Sequence, residues 1–185
     1  MGLFDVFKGV GAAAEKKKAA ADGVPGVPSA VDAAEAPGVL CAPVAGRVVA
    51  MADVPDPVFA GGMLGDGCGV WPSESVVYAP LSGEVTVAMS HAVGITGAGI
   101  EALVHVGLDT VEMGGDGFEL FVKPGDHVSA GQPLVRIDRD KIAAAGHKDC
   151  VVVAVSNSAD LVGVRLAVDA GSAVSAGAAL LEVSA

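Results

Sequence analysis

Two of the four histidines, His91 and His105, lie on either side of a glycine-rich turn, Gly97-Ala98-Gly99. Taken as a three-residue hairpin loop, that turn pairs Thr96 with Ile100, Val93 with Leu103 and His91 with His105. Directly opposed side chains on paired strands leave one face with Cβ atoms about 4.5–5.5 Å apart. Two imidazoles so close cannot both hold a proton cheaply, which pushes at least one toward neutrality. A neutral imidazole is a competent nucleophile near neutral pH, and its neighbour can hold an incoming anion. The same pair also fits an incidental cross-strand contact or two ligands of a metal site, although two histidines without a third ligand make a poor zinc site. His127, in a glycine repeat, and His147, after a helical turn, have no obvious partner and read as surface residues.

The elements that must position these rings are strands. Short apolar runs over 76–78, 85–89, 100–106, 118–122, 134–137, 151–155 and 180–183 are split by glycine, proline and aspartate. From about residue 38 onward, only 140–145 has helical character. Two internal repeats sharpen the reading: Cys41-Ala-Pro-Val-Ala-Gly echoes Tyr78-Ala-Pro-Leu-Ser-Gly, and Gly125-Asp-His-Val-Ser-Ala-Gly echoes Gly171-Ser-Ala-Val-Ser-Ala-Gly. The expected fold is all-β, a single antiparallel sandwich or barrel carrying duplicated strand units that resemble the half-barrels of biotinyl- and lipoyl-type carrier domains.

Composition agrees. The 185 residues include 26 glycines and 10 prolines, more than a helical bundle wants. Lys+Arg 11 against Asp+Glu 22 gives a net charge of −11, the wrong sign for a reader of nucleic-acid backbone. No apolar stretch approaches the roughly 18–20 residues that cross a bilayer, and the first apolar run precedes its lysines, unlike a secretory signal. The expected location is the cytoplasm. Cys41, Cys68 and Cys150 cannot all pair and match no zinc spacing, so they read as buried free thiols.

Three regions follow. Over 1–20, Leu3, Phe4, Val6, Phe7 and Val10 form a helical stripe beside Lys8 and Lys16 to Lys18, suited to peripheral contact with an anionic membrane. Residues 21–37 are small and proline-punctuated, the chemistry of a flexible linker. Residues 38–185 form the domain and carry nearly all of the negative charge.

Several stretches carry a specific resemblance: Ala42-Pro-Val-Ala-Gly46, Val54-Pro-Asp-Pro-Val-Phe-Ala60, Gly65-Asp-Gly67, His91-Ala92 and Val104-His-Val-Gly-Leu-Asp-Thr-Val-Glu112. In these the chain resembles the glucose-type enzyme IIA, a phosphocarrier of the bacterial phosphoenolpyruvate-dependent sugar phosphotransferase system. The resemblance implies that His105 accepts a phosphoryl group from the histidine phosphocarrier protein (HPr) and passes it to the IIB domain of a sugar permease. His91 matches the histidine that stabilises the phosphoryl group. Asp56 and Asp109 match an acidic pair that receives an arginine from the donor, and Phe59, Met63, Leu64, Val87, Leu103 and Val111 match its apolar rim. No cofactor or metal is implied; some family members also bind regulatory targets. Met89 stands two residues before His91, where the family often has threonine, so a hydroxyl partner for that ring is Ser90 or missing.

Other chemistries fit less well. A biotinyl- or lipoyl-like carrier needs a lysine at a hairpin tip, commonly beside methionine, and none of the lysines has that context. A zinc peptidase of related architecture needs an H-x-H pair, and none occurs.

Overall fold

The computed structural model describes residues 26–184. The expected amphipathic segment over 1–20 lies outside them, as do residues 21–25 of the expected linker. In chain order the described elements begin with β1 (Val39–Cys41), β2 (Gly46–Ala50), α1 (Pro57–Ala60), β3 (Asp66–Pro72), β4 (Val76–Tyr78), β5 (Gly83–Met89), β6 (Ala92–Gly97), β7 (Ile100–Leu108) and β8 (Phe118–Leu120). They continue with β9 (His127–Val128), β10 (Pro133–Ile137), α2 (Arg139–Ala144), β11 (Lys148–Val155), β12 (Gly163–Leu166), β13 (Ala173–Val174) and β14 (Ala179–Ser184). Helical structure is therefore less confined than expected. Besides α2, the chain makes α1 and 3-10 turns at Met51–Asp53, Thr110–Met113 and Ser158–Asp160. Each is too short for a helical repeat of apolar residues to show.

All strand pairs among the described residues are antiparallel. A large sheet runs β13-β2-β3-β11-β7-β6-β5-β9, flanked by β1-β14-β12 and β4-β10-β8. The duplicated motifs occupy equivalent places. Ala42 N–H donates to the Ala178 carbonyl at 2.7 Å, and Gly177 N–H to the Ala42 carbonyl at 2.9 Å. In the other copy Ala79 N–H donates to Gln132 and Gly131 N–H to Ala79, both at 2.8 Å. Cys41 N–H to the Pro80 carbonyl and Tyr78 N–H to the Pro43 carbonyl, both 2.7 Å, join the two units. The glycine turn of each repeat thus closes on the Ala-Pro motif of its own unit.

Alternation sorts side chains between two cores. On β11, Val151, Val153 and Val155 enter the main core, while Cys150 and Val152 face a second, smaller one with Val54, Phe59 and Leu108. On β7, Ala102, Val104 and Val106 face the main core, which leaves Leu103 and His105 on the opposite face. All three cysteines are free and buried. Burial pushes the Cys68 and Cys150 thiols up to about 12, so both stay protonated.

The histidine hairpin differs from the expected register by one residue. Gly97 pairs with Ile100, Val93 with Val104 and Ala92 with His105, so the loop is the two residues Ala98-Gly99. Both have positive φ, 50° and 79°, as a tight hairpin turn of right-handed strands requires. The observed register puts Val93 and Ile95 into the main core with Ala102 and Val104. The alternative would have turned them outward.

Residues 26–36, part of the expected linker, lie against the domain. Val31 N–H donates to the Gly131 carbonyl at 3.0 Å and Ala34 N–H to the Gly177 carbonyl at 2.8 Å. A Cβ at Gly131 would run into the Val31 carbonyl oxygen, and one at Gly177 into that of Asp32. The two repeat glycines therefore leave room for this strap.

Candidate functional site

His105 sits on a row of directly paired residues that crosses six strands: Val49, Gly69, Val152, His105, Ala92 and Met89. On one side of the ring is the small core. A Cβ at Gly69 would lie 2.7 Å from Val49 Cγ1 and 2.9 Å from Cys150 Sγ, so only glycine lets this patch close. Phe59, held on α1, caps it and meets the His105 ring edge-on, with centroids 5.0 Å apart. Buried aromatic side chains of this kind contribute about 3–5 kcal/mol to stability. Phe59, expected on the apolar rim, is buried and forms a wall of the site.

The other side is His91. It occupies the two-residue turn Ser90-His91 between β5 and β6, where Met89 pairs with Ala92. Its carbonyl accepts from Val106 N–H at 2.7 Å, and its ring meets that of His105 at 5.2 Å between centroids, inclined by 72°. A strand residue in this register would point away from His105; a turn residue is free to lean back. The small side chain of Ala92 keeps the path open.

His105 has a defined tautomer. Its Nδ1 lies 2.9 Å from the Gly107 carbonyl oxygen. A carbonyl can only accept, so Nδ1 carries the proton and Nε2 of the neutral ring keeps its lone pair. Burial, with the nearby His91, holds His105 below the ordinary histidine value, against the Gly107 bond and the charges of Asp56 and Asp109, which pull upward. Burial lowers His91 as well. Neutral rings are therefore favoured at both positions.

The two aspartates flank the ring by different local devices. Asp56 caps α1: its Oδ1 accepts from Val58 N–H at 2.8 Å and Phe59 N–H at 3.2 Å, ahead of Pro57 at the first helical position. The Val-Pro-Asp-Pro sequence is thus a turn former that also brings a carboxylate near His105. Asp109 is exposed, in the left-handed region at φ 59°, where aspartate is better tolerated than most residues. Around them lie apolar side chains that are exposed or, for Leu103, half-buried. Val87 and Leu103 both pair with Gly94 on the His105 face. Met63 (75% exposed) and Leu64 follow α1, and Val111 (60% exposed) follows Asp109.

Sequence reasoning did not assign two exposed apolar residues to the rim: Val58 on α1, and Met89, whose pairing with Ala92 puts it on the His105 face. It also missed Gly107, whose carbonyl accepts from His105 Nδ1 and which is hinted at only by a glycine two residues after a histidine. The alternative carrier chemistry has no lysine in place among the described residues: Lys123 pairs with Asp126, Lys141 lies in α2 and Lys148 in β11.

Comparison with known proteins fits this geometry. Residues 38–161 match the family described as phosphoenolpyruvate-dependent sugar phosphotransferase system, EIIA 1. The glucose-specific EIIA component of Staphylococcus aureus (strain COL) is 46% identical over 104 residues, 55% of this chain and 63% of that protein. A Staphylococcus epidermidis counterpart gives the same figures. The match thus spans less than two thirds of the length of these relatives. The solved structure of glucose permease IIA from Mycoplasma capricolum superposes with a TM-score of 0.68 at 33% identity, covering 77% of this chain and 93% of that one. With the matched stretch containing both histidines and both aspartates on a β-sandwich of the same kind, the chain belongs to the EIIA 1 family of the phosphoenolpyruvate-dependent sugar phosphotransferase system.

Proposed function

We propose that this protein is a phosphocarrier of sugar uptake. In this reading His105 takes a phosphoryl group from the histidine phosphocarrier protein and delivers it to the IIB domain of a sugar permease. The observation that carries the reading is the Nδ1–H bond from His105 to the Gly107 carbonyl, which leaves Nε2 as the nucleophile. In the acceptance step the Nε2–P bond forms as the donor's P–N bond breaks. The donor ring keeps that bond's electron pair, and the proton stays on Nδ1. Phosphoryl transfer asks the protein mainly for position and charge stabilisation. Phe59 fixes the ring on one side, and His91 meets the incoming phosphoryl oxygens on the other.

Asp56 and Asp109 repel a phosphoryl group when the site is alone. They favour transfer only when a partner brings cations, so docking becomes part of the chemistry. Met63, Leu64, Val87, Leu103 and Val111 supply the apolar surface on which such a partner would exclude water. The relatives' names carry glucose, and the sugar itself is selected by the permease. The phosphocarrier reading places the protein in the cytoplasm with its donor. No helix among the described residues is long and apolar enough to cross a membrane. Residues 1–20 would give peripheral contact with an anionic inner membrane face, and regulatory partners would use the same apolar rim.

Incubating the full chain with phosphoenolpyruvate, enzyme I and the phosphocarrier protein tests the reading. Acid-labile phosphorylation that chases onto a IIB domain is expected. A biotinyl or lipoyl adduct on the purified protein, with no phosphorylation, would replace it.

A further inference from the structure

We propose that Thr110 is a positioning residue for His105, acting through the Gly107 carbonyl; its purpose rests on the phosphocarrier reading, its geometry does not. Thr110 is the single polar residue in the buried set among the described residues, at 1% exposure. Its Oγ donates to the Val106 carbonyl at 2.5 Å. Its methyl group presses on Gly107, where a Cβ would run into Thr110 Cγ2 and come within 3.0 Å of the Lys148 carbonyl oxygen. Gly107 itself stands at φ 78°, outside the range that other residues adopt freely.

The peptide groups on both sides of Gly107 are thereby accounted for. The preceding carbonyl, of Val106, is tied to the Thr110 hydroxyl, and the following one, of Gly107, accepts from His105 Nδ1 at 2.9 Å. With its Cα wedged against the threonine methyl and one flanking peptide pinned, Gly107 cannot rotate its carbonyl away from the imidazole. Without that hold only the pairing of Leu108 with Lys148 restrains the carbonyl, and it can turn further from the ring. A neutral imidazole that loses its Nδ1 acceptor shifts toward the other tautomer, with the proton on Nε2 and no lone pair there for phosphorus. Ordinary packing would explain a buried threonine, but it would not couple the hydroxyl to a ring it does not touch.

The test uses full-length protein with 15N-labelled histidine. Long-range proton–nitrogen correlation reads the His105 tautomer, and phosphoryl acceptance from the phosphorylated donor reads the rate. Thr110→Val keeps the shape and removes the hydroxyl. It is expected to lose the dominant Nδ1–H signature and to lower kcat about 3- to 10-fold, the effect of one ordinary hydrogen bond, with little change in KM. Thr110→Ser should keep both properties. A folded Thr110→Val with the wild-type tautomer, or a Thr110→Ser as impaired as Thr110→Val, would overturn the proposal. Should Thr110→Val not fold, Thr110→Ala against Thr110→Ser makes the same comparison. Wild-type protein that shows the tautomer but accepts no phosphoryl group would remove the phosphocarrier reading and leave the Thr110 role standing. Normal acceptance with an unchanged tautomer in Thr110→Val would remove the Thr110 role alone.

Discussion

The ring of His91 meets the ring of His105 edge-on, at 5.2 Å between centroids, from a turn instead of from the facing strand position. That position belongs to Ala92. The difference matters because the turn lets the His91 ring lean over His105, while the Val106 N–H bond to its carbonyl keeps its backbone in place.

His91→Gln should still accept a phosphoryl group and pass it onward slowly, by roughly 100-fold, the scale of losing one preorganised donor to a developing charge. Quench-flow measurement of acceptance and of onward transfer to a IIB domain separates the two steps. Equal onward rates in wild type and His91→Gln would show that this ring has no part in transfer.

Burial lowers both histidines from their ordinary value, and the sign of the pH effect follows. At mildly acidic pH the unfolded chain binds protons on these rings that the native protein resists, so stability rises with pH through the window below about 6.5 and levels off above it. Denaturant unfolding across about pH 5 to 7 should show this slope, flattened in His105→Gln. For the same reason acceptance should persist into mild acid, since His105 stays neutral there. An NMR titration placing His105 above the ordinary value would contradict both statements.

Asp109→Asn removes charge while keeping a side chain that tolerates the left-handed backbone at φ 59°. Acceptance from the phosphocarrier should slow roughly 3- to 10-fold at low ionic strength, and the loss should shrink as salt screens the wild-type attraction. Hydrolysis of the isolated phosphoprotein should change much less. An unchanged rate at low salt would take Asp109 out of the docking surface.

The architecture was legible because its signals are local. Val151 to Val155 reads as a buried strand, and the repeated Ala-Pro and glycine-turn motifs announce two equivalent units. The histidine pair was legible as a proximity, but its register was not. Gly97-Ala98-Gly99 serves a two- or three-residue loop equally well, and the choice falls to the burial of Val93 and Ile95. Asp56 illustrates a different limit: the turn reading is realised in the cap on α1, and the same carboxylate lies close enough for its charge to act on His105, which no turn pattern states. Thr110 was hidden because its part depends on the φ of Gly107, which no residue pattern states.

The central claim is that Nε2 of His105 is the phosphoryl acceptor. Wild-type full-length protein, phosphorylated from phosphoenolpyruvate through enzyme I and the phosphocarrier, should be analysed by mass mapping and phosphorus–nitrogen coupling at neutral pH. The account predicts one phosphoryl group, on Nε2 of His105, and none on His105→Gln. Full labelling of His105→Gln, or a phosphoryl group on Nδ1 of the wild-type ring, would contradict it.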